Sequence, residues 1–245
     1  MAQRERALTP ADFRALWESK PVLRAVYQDY YQRIGAWARG APTVELGAGG
    51  ADLKAALPQL IASDIVPSPW LDLTLDAQAL PFADGTVANL VGVDVLHHVE
   101  YPSQFLAEAE RVLKPSGRVV LVEPAITPLS WLFFKFGHPE PVALRVDPLR
   151  SGQPWPGRDP MESNQAVPTL LARRHRGRLE RQFPGLRIRH HERLSLVAYP
   201  LSGGLRPWCL LPQRLVAPLL RAERWVTPAL GPIMAFRILL VIERA

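Results

Sequence analysis

The sequence holds one cysteine, Cys209, among 245 residues. A single thiol makes no internal disulfide and no cysteine-rich zinc centre, which fits a reducing compartment. At this position it reads as a small, semi-buried apolar residue. No run of 18 or more uncharged apolar residues occurs, so no membrane-spanning helix is expected. The first twenty residues, MAQRERALTPADFRALWESK, are charged throughout and lack the apolar core of a secretory signal. Internal repeats and long low-complexity tracts are absent. What remains is ordinary globular composition, 48% hydrophobic and 21% charged. A cytoplasmic location follows as the expectation, with peripheral contact to a membrane left open.

Charge is unevenly placed. Residues 1–124 hold 11 Lys/Arg against 15 Asp/Glu, whereas residues 125–245 hold 18 against 8. The acidic and basic halves therefore point to different roles. The basic half suits a phosphate-bearing substrate, an anionic membrane or nucleic acid, or is simply an arginine-rich solvated surface.

Apolar residues recur at helical spacing from 10 to 40, with Pro21 dividing two helices and Gly40 and Pro42 ending the second. TVELGAGG (43–50) then reads as a strand entering a tight turn, and ADLKAALPQ as the helix after it. Strands are expected at 60–64, 70–77, within 87–99, and at 119–124. A helix is expected at 103–114, capped by Ser103 and stopped by Pro115 and Gly117. Residues 125–180, rich in proline and aromatics, read as an irregular lid with short helices. A late strand (186–199), an amphipathic helix (211–226) and a terminal strand (234–244) complete the chain.

Alternation of strand and helix over 43–124 is the pattern of a parallel sheet with crossovers. Ligands of such sheets bind at the carboxyl ends of the strands, near the point where strand order reverses. Glu45, Gly47, Ala48, Gly49, Asp64, Asp76, Asp94 and Glu123 all fall near those ends. Gly47 and Gly49 permit backbone torsions and close approach that larger residues forbid. Asp64, 17 residues after Gly47, is placed to accept both hydroxyls of a ribose. Taken alone, the glycine turn equally suits a nicotinamide nucleotide.

Three further strings follow in order: DAQALPF (76–82), LHHV (96–99) and RVLKPSGRVVLVE (111–123). With the glycine turn and Asp64 they resemble the class I S-adenosylmethionine-dependent methyltransferases, and more closely their type 11 group, which includes ubiquinone and menaquinone methyltransferases. The resemblance covers roughly residues 40–124. It implies a Rossmann-like α/β fold: a seven-stranded sheet with helices on both faces and its last strand antiparallel. It implies that Gly47 and Gly49 wrap the methionine portion of S-adenosylmethionine and that Asp64 holds the ribose. Asp76 and Ala77 then lie by the adenine, and Val93, Asp94 and Leu96 line the methionine side. Ala51 stands where the group has a third glycine, Ser116 where it has the first of two, and Asn89 where it often has an acid. The 12 residues between Asp64 and Asp76 leave little room for a crossover helix.

The whole chain, 1–245, is taken as one methyltransferase domain. It divides into a helical cap (1–42), a cofactor-binding core (43–124), an insertion or lid (125–185), and C-terminal strands with an amphipathic helix (186–245). Methyl transfer depends mainly on alignment, and an oxygen nucleophile also uses a base. His98, and after it His97, are the candidates for that base, with one of the pair alternatively packing under the cofactor. His138 and Glu140 in HPEP, and Asn164 and Gln165 in ESNQ, are candidates for holding the acceptor. As adjacent strand residues, His190 and His191 point to opposite faces. No metal ligand set is expected, since no acid cluster stands out. The run Asn/Asp-Pro-Pro-aromatic is missing after the fourth strand, which disfavours amide or base-amine methylation. Oxygen or carbon methylation of a small or lipid-like acceptor is the favoured reading. A nucleic-acid-modifying methyltransferase and a non-catalytic cofactor-binding protein are the alternatives, the first disfavoured because no RNA-binding module or basic tail is visible.

Overall fold

A computed structural model describes residues 10–50 and 53–245. Two N-terminal helices, α1 (Pro10–Ser19) and α2 (Pro21–Trp37), break at Pro21 as expected, because proline is tolerated only in a helix's first turn. Seven strands follow: β1 (Thr43–Glu45), β2 (Leu60–Asp64), β3 (Leu73–Thr74), β4 (Val87–Val93), β5 (Leu113–Pro124), β6 (Leu186–Leu194) and β7 (Arg237–Arg244). They form one sheet in the order β3-β2-β1-β4-β5-β7-β6. β7 runs antiparallel to both of its neighbours, while β1 to β5 pair in parallel. Strand order reverses between β1 and β4, so the crevice at their carboxyl ends is the expected ligand position.

β4 is buried along nearly its whole length, as a central strand covered on both faces must be. Alternate residues feed two cores. Leu90, Val119, Leu121 and Leu240 meet α3 (Pro102–Val112), α5 (Val167–Ala172) and α6 (Arg176–Gln182) on one side. Val91, Val120, Val122 and Leu239 meet α2, α7 (Ala198–Ser202) and α8 (Gln213–Met234) on the other. α4 (Pro128–Gly137) follows β5 directly, capped by Thr127, whose Oγ1 accepts the Ser130 N–H.

Several local expectations fail. The late strand stops at Leu194 and α7 opens at Ala198. α3 ends at Val112, and Pro115 and Gly117 lie inside β5. The segment after the glycine turn forms only a three-residue 3-10 turn, Leu53–Ala55, because Pro58 stops a longer helix; Ala51 and Asp52 lie outside the described residues. The strand expected at 70–77 shrinks to Leu73–Thr74, at the sheet edge. Tyr101, not Ser103, precedes α3, and the Ser103 hydroxyl donates instead to the Arg150 carbonyl at 2.6 Å. The helix expected at 211–226 runs to Met234 through Pro218, Pro228 and Pro232. All three prolines face solvent, where a carbonyl deprived of its N–H partner can bond to water.

Candidate active site

The glycine turn leaves β1 at the crevice. Gly47 and Gly49 both have positive φ, 62° and 52°. A Cβ on Gly47 would fall 2.1 Å from Cγ2 of Val95, whereas one on Gly49 would meet nothing closer than 3.9 Å. The turn is fastened to β2: the Ala48 N–H donates to the Ser63 carbonyl, and the Gly49 N–H donates to Oδ2 of Asp64 at 2.9 Å. Oδ1 of Asp64 accepts the Val66 N–H at 2.9 Å. Each carboxylate oxygen keeps a further acceptor position. Trp70 Nε1 donates to the Gly49 carbonyl at 2.6 Å, and the Arg14 guanidinium of α1 lies 5.2 Å from the Trp70 ring centroid. α1 itself closes on the turn, since a Cβ on Gly50 would fall 2.8 Å from the Arg14 nitrogen. Asp76 accepts the N–H of Gln78 at 2.8 Å, and Gln78 in turn accepts the Tyr101 N–H. Ala77 packs partly buried against the core. Glu45 is buried beside the turn.

A second cluster forms at the tip of β4. Asp94 has φ 59°, which turns the chain away from the strand. Its Oδ2 accepts from Tyr27 Oη at 3.1 Å and its Oδ1 from the buried Arg237 guanidinium. Glu123, wholly buried at the end of β5, accepts the Val95 and Leu96 N–H groups on one oxygen, at 2.8 and 2.7 Å. Its other oxygen lies 2.7 Å from Nδ1 of His97. Nε2 of His97 lies 3.5 Å from Glu140, which also accepts from Ser163 Oγ at 2.9 Å and from Gln165 Nε2. Nδ1 of His138 accepts the Glu140 N–H at 3.3 Å.

The lid thus folds onto the histidine pair. Asn164 N–H donates to the His97 carbonyl at 2.8 Å, and Arg158 Nη1 donates to the His98 carbonyl at 2.6 Å. Burial opposes charge on His97, but the hydrogen bond to Glu123 and the longer contact with Glu140 prevail and raise its pKa to about 9. Burial and then the neighbouring His97 lower the pKa of His98. Burial works to raise the Glu140 pKa, yet the His97 contact carries it well below the carboxylate range.

Of the residues singled out from sequence, His97, His98, His138, Glu140 and Gln165 come together here. Asn164 does not point to a ligand: its side chain pairs with both backbone groups of Ala143, locking the loop. Leu96 is wholly buried in the core, with its N–H taken by Glu123, so its side chain lines no crevice. Both oxygens of Asp94 are already engaged. Asn89, buried at the start of β4, bonds to the Arg39 backbone and Thr43 and has no part in the site. His190 stacks on Trp37 along edge strand β6, at 4.9 Å between centroids. His191 shares that strand, with a pKa lowered by burial and then by Arg193. Cys209 is exposed rather than semi-buried, with Sγ 3.3 Å from the Leu211 carbonyl.

Sequence reasoning missed Tyr27, Trp70, Arg158, Ser163 and Arg237. Only Arg237 left a signal: it is the one charge that opens an otherwise apolar strand, RILLVI. Donor atoms of His97, His98 and Glu140 all lie within 4.8 Å of one another, a grouping that the sequence did not suggest. The histidines and Glu140 are over forty positions apart in the chain, so no local motif announces them. Two cavities, of about 270 and 650 Å3, lie away from the crevice, one between α2, β6 and α8 and one beside α4 and α5.

The sheet order with its single antiparallel strand, and a glycine turn joined to an acid at the next strand tip, define a Rossmann-like methyltransferase fold. Residues 45–121 match the family described as a methyltransferase domain. The match spans under a third of the chain and marks that stretch as a methyltransferase domain. The chain is 41% identical over 70 residues to a ubiquinone/menaquinone biosynthesis C-methyltransferase of Desulfotalea psychrophila. Over 49 residues it is 49% identical to an uncharacterized 37.1 kDa protein of a Streptomyces fradiae transposon. These matches take in 26% and 20% of this chain and only 28% and 14% of the two relatives. A methyltransferase from Archaeoglobus fulgidus has the same fold, with TM-score 0.52 at 14% identity, covering 91% of this chain and 94% of that one. So does a geranyl diphosphate C-methyltransferase from Streptomyces coelicolor, with TM-score 0.50 at 15% identity over 89% and 81%.

Proposed function

We propose that the chain transfers a methyl group from S-adenosylmethionine to an oxygen or carbon of a small, lipid-like acceptor. The observation that carries this reading is the bond between the Gly49 N–H and Asp64. It sets a carboxylate with spare acceptor positions beside Gly49, where a Cβ would meet nothing closer than 3.9 Å, and so fits an adenosyl ligand. When bound, S-adenosylmethionine supplies a methyl group on a sulfonium, already a good leaving group. Gly47 and Gly49 would give the backbone its close approach, Asp64 would accept the ribose hydroxyls, and Asp76 would lie by the adenine. α1 and Trp70 cover the turn and exclude water. At the β4 tip, His98 offers a buried nitrogen with no partner, Nδ1, to the proton of an acceptor hydroxyl. His138, Glu140 and Gln165 border it from the lid.

Two comparisons agree with an apolar acceptor. The Desulfotalea psychrophila relative is named a C-methyltransferase of quinone biosynthesis, and the Streptomyces coelicolor neighbour a methyltransferase of geranyl diphosphate. Incubation with methyl-labelled cofactor and either lipid extract or total RNA tests the reading. Label in the lipid fraction supports it. Label in RNA favours the nucleic-acid alternative. Tight cofactor binding with no transfer favours a non-catalytic protein.

Contact with an anionic membrane belongs to the same proposal. α8 exposes a second apolar stripe, Leu215, Ala222, Trp225, Val226, Ala229 and Ile233, at helical spacing away from its buried face. Trp225 is 87% exposed, and Arg214 and Arg221 flank the stripe, whereas Arg224 turns back to pair with Asp29 of α2. Such a face suits an interfacial helix. The alternative, a dimer interface, predicts concentration-dependent mass without lipid binding. No helix among the described residues is long and apolar enough to cross a membrane.

A further inference from the structure

We propose that His97, His98 and Glu140 form a binding site for a divalent transition-metal ion of the zinc class. The site goes beyond the methyl-transfer reading and does not depend on it; with an ion bound, His98 serves as a ligand in place of the free base named there. Two imidazoles and one carboxylate are a donor set suited to such ions. Their ligating atoms converge within 4.8 Å of one another although the residues come from two distant segments.

Three observations favour an ion over a plain hydrogen-bonded cluster. The first is spacing. Nε2 of His97 and Oε2 of Glu140 are 3.5 Å apart, long for a hydrogen bond. Two bonds of about 2 Å at a tetrahedral angle place their donors about 3.4 Å apart. The second is support behind the donors. Nδ1 of His97 is held at 2.7 Å by Glu123, itself fixed by two backbone N–H groups. This fixes the ring and leaves Nε2 pointing at Glu140, as a carboxylate behind a ligating histidine does. Glu140 is likewise steadied by Ser163 and Gln165. The third is an unmet need. Nδ1 of His98 is buried without a hydrogen-bond partner, as is Oε1 of Gln165. An orphaned buried polar atom is costly, and a cation beside it removes that cost.

A rival set, Asp94, His97 and Glu123, also brings its donors together. Its atoms are already engaged: Glu123 by three donors, and Asp94 by Arg237 and Tyr27. Glu140 has donors of its own, Ser163 and Gln165, but both fall on Oε2 and leave Oε1 without one among the described residues. Three protein ligands leave a further coordination position for water or an acceptor oxygen.

The test uses the full chain, stripped with a chelator, dialysed and titrated with Co2+ in the absence of S-adenosylmethionine. The expected result is one ion per chain, with the visible ligand-field absorption of a low-coordinate nitrogen and oxygen site, bleached by added Zn2+. Glu140→Gln and His98→Ala abolish the bands, with circular dichroism confirming the fold. His190→Ala, on the distant edge strand, keeps them. Glu123→Gln weakens binding by about 10–100-fold without removing it. No saturable binding by the parent overturns the proposal, as does binding that Glu140→Gln leaves unchanged. Calorimetry with the cofactor on the same samples shows separately whether the methyltransferase reading stands.

Discussion

Arg237, at the first position of β7, pairs with Asp94 at the tip of β4. The arginine is 3% exposed, and its ring-stacked position over Tyr199, 4.0 Å from the centroid, leaves it no route to water. The pair joins the antiparallel strand to the switch point of the sheet, and Tyr27 of α2 adds a third element through the same carboxylate. Cap, core and C-terminal strands therefore share one charged junction beneath the site.

Removing one member of such a pair strands the other. Arg237→Met destabilises the fold by about 3 kcal/mol, the lower end of the range for broken buried pairs, since Asp94 retains some access to water. Denaturant unfolding measures it. The double variant with Asp94→Asn recovers much of the loss. Equal losses in the single and double variants would show that packing, not charge, holds the junction.

Glu123 accepts from two backbone N–H groups and lies on His97. Glu123→Gln leaves one of these partners facing a donor rather than an acceptor. The expected cost is about 1–3 kcal/mol, read from the unfolding midpoint. An unchanged midpoint would mean that the turn after β4 is held by other contacts.

Gly47 has no room for a side chain. Gly47→Ala drives a methyl into Val95 and costs about 1–3 kcal/mol. Val95→Ala introduced alongside relieves part of that cost. Failure of the relief would locate the penalty in the backbone torsion instead.

Trp225 and its arginine neighbours give a salt-dependent membrane prediction. The chain sediments with vesicles containing anionic lipid at low salt, less at high salt, and not with neutral vesicles. Each arginine removed from the flank weakens binding by about 1 kcal/mol. Trp225→Ser lowers binding at every salt concentration. Equal sedimentation by the parent and Trp225→Ser would detach α8 from any membrane role.

The sequence showed most of the sheet because each central strand is a continuous apolar run bounded by a turn, as in VANLVGV and RILLVI. It suggested the cofactor rim proposed above because Gly47, Gly49, Asp64 and Asp76 fall near strand ends along one stretch. Elements without that local logic were misread. Leu73–Thr74 alternates like a longer strand, but its place at the sheet edge gives the pattern little to pair with. α8 outruns its prolines because they fall on its solvent side, a fact that depends on tertiary placement. The meeting of His97 and His98 with Glu140 depends on how a proline-rich lid folds back. Asn164 anchors that return by bonding to Ala143. Ser163 and Arg158 contribute through contacts to Glu140 and to the His98 carbonyl that no local pattern encodes.

Calorimetric titration with S-adenosylmethionine, comparing the parent with Asp64→Ala, tests the central claim most directly. The account predicts saturable binding by the parent and an affinity about 10–100-fold lower in the variant, the loss expected for hydrogen bonds to a charged group. Equal affinities, or a folded parent that does not bind, would contradict it.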